Sequence, residues 1–215
     1  MNKQITIEEA VAKIKDGMTI MVGGFLANGT PNKILDALSE SNVKNLTVIA
    51  NDAAFSNKGV GKLFVHKQVK NYIASHIGSN ELIQEQMNNH EINVTLVPQG
   101  TLAERIRCGG CGLGGVLTKT GMGTIIAEGK EVVTVDGEDY LLEKPLRADV
   151  ALIGATKGDT DGNLVYVGTS QNFNPLMAMA ADMVIAGVDN LVNVGEIAPE
   201  QVHTPAILVD YIVKQ

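Results

Sequence analysis

Thr19-Ile20-Met21-Val22-Gly23-Gly24-Phe25-Leu26-Ala27-Asn28-Gly29-Thr30-Pro31 holds three kinds of signal in succession. The apolar run Thr19 to Val22 predicts a short buried strand that stops at a glycine pair. Thr30-Pro31 opens a helix, with proline at its first position and Ile34, Leu35 and Leu38 on one face. Strand, glycine loop and helix start together form the unit of an open α/β sheet. In such sheets ligands bind beyond the carboxyl ends of the strands. Glycines let a ligand approach the backbone, and a helix start favours anions. The same residues equally suit a tight strand-to-helix turn with no ligand at all.

Reading outward, the alternation continues. Thr6-Ile7-Glu8-Glu9 has the form of a capping box, with a helix to about Lys15, and Asp16-Gly17 is a turn. Strands are expected at Leu46 to Ala50, Tyr72 to Ala74, Val94 to Val97, Glu131 to Val135, Val150 to Ile153 and Met183 to Ala186. Helices are expected at Asn80 to Asn89, from a second capping box Thr101 to Glu104 up to about Arg107, and from Asn174-Pro175 through Ala181. The expected fold is α/β: a mainly parallel open sheet flanked by helices. Around 108–143 glycines cluster and a β-rich stretch follows, read as an excursion within a single unit spanning 1–215.

Composition narrows the function. The chain has 215 residues, 45% apolar and 19% charged, which is globular and long enough for one sizeable core. Seventeen Lys plus Arg against 24 Asp plus Glu leave a formal charge of −7, with no basic cluster for a phosphate backbone. With aromatics at 4% and no tryptophan, base-stacking platforms are not expected either, so nucleic acid is set aside. Met1 to Asp16 carries charges throughout and lacks the apolar core of a signal peptide. No apolar run approaches a membrane span. The expectation is a cytoplasmic protein, with two cysteines too few for a disulfide framework.

The pattern Asp16-Gly17, two residues, Ile20-Met21-Val22-Gly23-Gly24-Phe25, three residues, Gly29-x-Pro31 resembles the signature of family I coenzyme A transferases. The similarity extends to Ile49-Ala50-Asn51-Asp52, Ala74 to Gly78, Val97 to Leu102, Thr120 to Thr124, Glu143 to Asp149 and Asn172 to Pro175. These strings resemble the alpha subunits of two-chain members acting on acetate, butyrate and acetoacetate. Leu26 stands where a smaller residue is common in such proteins. The resemblance implies the CoA-transferase fold, shared with sugar-phosphate isomerases. It implies CoA transfer between a short acyl-CoA and a carboxylic acid, through a glutamyl-CoA thioester. The nucleophilic glutamate belongs to a Ser-Glu-Asn-Gly-type segment of the beta subunit, and this chain has none: Ser39-Glu40-Ser41-Asn42 and Val194-Gly195-Glu196 do not fit. A beta-subunit partner in a heterodimer or heterotetramer follows, with acyl-CoA and short carboxylic acids as ligands and no separate cofactor or metal. The resemblance also implies that Gly23, Gly24, Phe25, Leu26, Ala27, Asn28 and Gly29 contact CoA.

Gln99 follows the expected buried strand ending at Val97 and precedes the expected helix. A neutral amide there can donate to an oxyanion, or be a plain loop glutamine; the resemblance assigns the former. Gly110 to Gly115 fits G-x-G-x-x-G but follows a helix, so the dinucleotide context fails. Cys108-Gly109-Gly110-Cys111 is half a zinc site without the other half, and suits two small residues in a glycine-rich turn. Ser75-His76 would point to opposite strand faces, against a hydrolase pair. Glu143 and Asp149 flank Arg147 and are expected to form local charge pairs. Rivals are a succinyl-CoA:3-oxoacid CoA-transferase subunit, a sugar-phosphate isomerase-like enzyme and a ligand-sensing module of this fold.

Overall fold

The computed structural model describes residues 3–215; Met1 and Asn2, the first two residues of the segment read for a signal peptide, lie outside it. The main sheet has eight strands. Its order is β11 (Tyr211–Lys214), β10 (Ala181–Val192), β8 (Ala148–Asp159), β1 (Thr19–Val22), β2 (Leu46–Ala50), β3 (Val69–Ala74) and β4 (Asn93–Leu96). All these neighbours pair in parallel, and the short β9 (Leu164–Val165) adds antiparallel to β8.

Two apolar layers cover the sheet because its strands carry large residues on both faces. Ile20 and Val22 face a cluster with Ile34, Leu35, Leu38, Leu63, Phe64 and Ile83. These come from α2 (Asn32–Ser39), α3 (Gly61–Val65) and α4 (Glu81–Asn88). Met21 faces the other cluster, with Leu102 and Ile106 of α5 (Gln99–Gly110) and Met177 and Ala178 of α6 (Asn174–Met179). The excursion forms its own antiparallel sheet, in which β7 (Glu138–Glu143) lies between β5 (Val116–Thr118) and β6 (Val132–Val135).

Several boundaries differ from expectation. The first capping box forms, Glu9 N donating to Thr6 Oγ1 and Thr6 N to Glu9 Oε2, yet α1 (Ile7–Val11) stops well short of Lys15. Pro31 is the N-cap of α2, one residue before the expected position. The second capping box does not form. The helix begins two residues before Thr101, so Thr101 is buried inside the first turn and Glu104 pairs with Arg107 instead. Gln99 is therefore the first residue of α5 and not a loop residue. β4 is an exposed edge strand, correcting the expectation that it is buried. The last helix ends at Met179, and Ala181 already belongs to β10.

Candidate active site

Four successive loops leave the carboxyl ends of β1, β2, β3 and β4, and together they line a cleft of about 470 Å³. Its walls are Phe25, Leu26, Asn51, Asp52, Ser75, His76, Ser79 and Gln99. This is where a parallel sheet presents ligand-binding loops.

Asn51 joins three of these loops. Its Oδ1 accepts from Gln99 Nε2 at 2.7 Å and from Ser75 Oγ at 2.8 Å, and its Nδ2 donates to Asp52 Oδ2 at 2.7 Å. Asp52 in turn accepts from the backbone N–H groups of Leu26 and Ala54. A continuous polar chain thus runs from Gln99 to the glycine loop. Tyr72 lies fully buried nearby; burial, with the Asp52 charge second, pushes its phenol pKa well up and keeps it neutral.

The glycine loop contains a tight turn in which Phe25 N donates to Asn28 O and Asn28 N to Phe25 O. Its central residues, Leu26 and Ala27, have φ of 47° and 62°, the left-handed pair of a type I′ turn that ordinarily calls for Asn or Gly. Left-handed backbone costs a residue with a β-carbon roughly 1–2 kcal/mol. A hydrogen bond to a charged acceptor contributes ~1.5–3 kcal/mol, enough to offset that cost. From behind, Asn172 accepts from Gly24 N and donates to Asn28 O, while the fully buried Asn174 donates to Gly29 O and Ser170 O.

The seven loop residues do not share one surface. Phe25 and Leu26 reach the cleft with Gln99. Ala27, Asn28 and Gly29 line a second cleft of about 380 Å³ with Thr156, Ser170, Asp189 and Gln215. Gly23 and Gly24 are buried. A β-carbon on Gly23 would lie 1.7 Å from Asn174 Oδ1, and one on Gly24 would lie 1.9 Å from Thr30 Oγ1. The idea that these two glycines give a ligand access to backbone is therefore corrected: the chain's own side chains fill that space.

Other candidates separate. β3 ends at Ala74, so the opposite-faces argument does not apply to Ser75 and His76, and both line the cleft. Ser75 Oγ donates to Asn51 and not to His76, so no nucleophile–base pair exists. Glu143 is buried and pairs with Lys130 and, at 3.8 Å, Arg105, whose pKa burial lowers. Glu143 thus forms charge pairs as expected, but not with Arg147, which pairs with Asp182, while Asp149 accepts from Thr19 N. Cys108 is buried within α5 and Cys111 is exposed at its C-cap, both as free thiols. Among the described residues no cluster of three metal-binding side chains is present, and no helix is long and apolar enough to cross a membrane. Asn51, Asp52, Asn172 and Asn174 had no site role by sequence reasoning. The signal available was an Asn-Asp pair at the carboxyl end of a parallel strand.

A doubly covered parallel sheet with a cleft beyond its carboxyl edge has the architecture of α/β proteins that bind ligands at that edge. Residues 4–215 match the family model described as Coenzyme A transferase, and the chain belongs to that family. It is 52% identical over 211 residues to the alpha subunit of acetate CoA-transferase from Escherichia coli (strain K12), covering 98% of this chain and 96% of that one. It is 53% identical over 214 residues to the alpha subunit of acetoacetyl-CoA:acetate/butyrate CoA transferase from Clostridium acetobutylicum, covering 100% and 98%. In fold it matches the crystal structure of an acyl-CoA transferase apoenzyme from Escherichia coli O157:H7, with TM-score 0.87 and 22% identity. That match covers 99% of this chain and 46% of the other.

Proposed function

We propose that this chain is the alpha subunit of a two-chain CoA-transferase that moves CoA between a short-chain acyl-CoA and a carboxylic acid such as acetoacetate. One observation carries the two-chain reading. The cleft offers a donor amide at Gln99, but among the described residues that line it the only carboxylate, Asp52, is buried and engaged by three N–H groups. The nucleophile must come from elsewhere, and relatives named as alpha subunits support a beta subunit as its source.

In the proposed reaction a glutamate carboxylate of the beta subunit attacks the thioester carbonyl. Negative charge builds on the carbonyl oxygen and Gln99 Nε2 donates to it. The C–S bond breaks, leaving an acyl-glutamyl anhydride and CoA thiolate. The thiolate attacks the glutamyl carbonyl, the first acid leaves as its carboxylate, and a glutamyl-CoA thioester remains. The acceptor carboxylate then reverses these steps. Phe25 and Leu26 form the apolar wall beside the thioester, and Ala27, Asn28 and Gly29, which line the second cleft, contact CoA. CoA enters as part of the substrate, so no separate cofactor is needed.

The test is reconstitution. This chain alone should show no transfer, and adding the beta subunit in equal amount should restore it. Borohydride added with acyl-CoA should reduce and tag one glutamate on the beta subunit and none here. Full turnover by the purified single chain would sink the reading. Acetyl-, butyryl- and succinyl-CoA compared on the reconstituted enzyme decide between short monocarboxylates and succinate.

A further inference from the structure

We infer that Asp52 is a positioning residue: its buried carboxylate holds two left-handed loop residues, Leu26 and Ala54, and thereby sets the wall of the substrate cleft. The inference rests on the proposed reading of Phe25 and Leu26 as substrate contacts.

Asp52 is 7% exposed. Leu26 N donates to its Oδ1 at 3.2 Å and its Oδ2 at 3.1 Å, Ala54 N to Oδ1 at 2.7 Å, and Asn51 Nδ2 to Oδ2 at 2.7 Å. Two of these three donors belong to non-glycine residues with positive φ, 47° at Leu26 and 52° at Ala54. Neither residue adopts that backbone by preference, so a side-chain acceptor must hold it: Asp52 does so across loops for Leu26 and from two residues back in the same loop for Ala54. One carboxylate does this for both. Its role depends on charge type as well as shape. A carboxylate only accepts, so three N–H groups can converge on it; an asparagine amide would turn N–H against N–H at one of them. Among the described residues no lysine, arginine or histidine forms an ion pair with Asp52, so these N–H groups balance its charge.

The direction of coupling follows from the connections. Leu26 lies in the β1 loop and Ala54 in the β2 loop, and through Asn51 the same chain reaches Gln99 at the start of α5. Without Asp52 the Phe25–Asn28 turn keeps its two internal bonds but not the force that favours φ > 0 at Leu26. It then spends part of its time in other shapes. A ligand that needs the observed shape sees its affinity reduced by the fraction of time that shape is present.

Asp52→Asn in the two-chain enzyme tests this by kinetics together with hydrogen exchange of residues 24–28. If the turn keeps its shape a tenth of the time, KM for acyl-CoA rises about tenfold with kcat nearly unchanged. Exchange in the 24–28 segment should accelerate. Leu26→Gly with Ala54→Gly relieves the left-handed penalty, so adding Asp52→Asn to that pair should raise KM far less than it does in the wild-type background. A purely structural role would lower Tm while leaving KM and local exchange unchanged, and that result overturns the inference. Faster exchange with unchanged KM keeps Asp52 as the holder of the turn and overturns the assignment of the turn to substrate. If Asp52→Asn does not assemble, the triple variant decides. Its assembly supports the inference, and its failure overturns it.

Discussion

Replacing Gln99 with alanine separates catalysis from architecture, because the two parts of its side chain's role are distinguishable. The amide nitrogen carries two N–H groups. One donates to Asn51 Oδ1 at 2.7 Å, and the other has no acceptor among the described residues and borders the cleft. Losing the first costs about 1 kcal/mol of stability, since Asn51 Oδ1 keeps its bond from Ser75 Oγ. The Gln99→Ala enzyme should therefore assemble and bind acyl-CoA with KM within a few-fold of wild type. Losing the second removes a donor to the developing oxyanion. Such a loss typically lowers kcat by ~10²–10³, or ~2.7–4 kcal/mol. Gln99→Glu should be at least as poor, because its carboxylate would face Asn51 Oδ1 as well as the developing charge. The assay is steady-state CoA transfer by the reconstituted two-chain enzyme, with Tm measured alongside. Wild-type kcat in a properly assembled Gln99→Ala complex would refute the oxyanion role and leave only a helix-start glutamine.

Replacing both Cys108 and Cys111 with alanine should leave kcat near wild type and the protein free of zinc. Only Cys108, 1% exposed, should register in Tm, at about 1 kcal/mol for the small void left. Stoichiometric zinc in the wild-type complex would contradict this. Gly23→Ala should be severe, because the new β-carbon displaces Asn174, whose amide serves Gly154 N, Gly29 O and Ser170 O. Stranding one buried and two part-buried backbone groups, at up to ~1–3 kcal/mol each, should leave the folded state much less stable in a denaturation assay. Gly100→Ala is the contrast: it meets no atom within 4 Å on α5 and should raise stability by about 0.5–1 kcal/mol.

The sheet was legible where apolar runs are short and bounded. Thr19 to Val22 and Leu46 to Ala50 are strands with the expected limits. β8 and β10 were read at a third of their length, because beyond the apolar run they continue through Gly154 to Asp159 and through Gly187 to Val192. Glycine and charge there mimic a loop, while pairing between the two strands overrides propensity. The Thr101 capping pattern failed because Pro98, which presets its own φ, starts the helix earlier. The glycine motif marks a loop that borders the cleft but not the reason for its glycines. Two of those reasons, Asn174 and Thr30, are contacts within the fold and leave no local mark in the sequence. The Asn51–Asp52 junction shows in the sequence only as an Asn-Asp pair after a strand, because apart from Ala54 its partners Ser75, Leu26 and Gln99 lie 24 to 48 residues away along the chain.

The sheet order also bears on how the chain is made. β1 sits at the centre with β2 on one side and β8 on the other, and Ile20 pairs with Val150. Strands β1 to β4 can assemble through nearby crossovers, but the second edge of β1 has no neighbour until residue 150 has been synthesised. At about 5–20 residues per second, the stretch from Gly110 to Val150, which contains the separate antiparallel sheet, takes seconds to emerge. An apolar central strand therefore stands unpaired on one edge during every round of translation. Closing that long-range parallel joint, and not forming any helix, should set the folding rate.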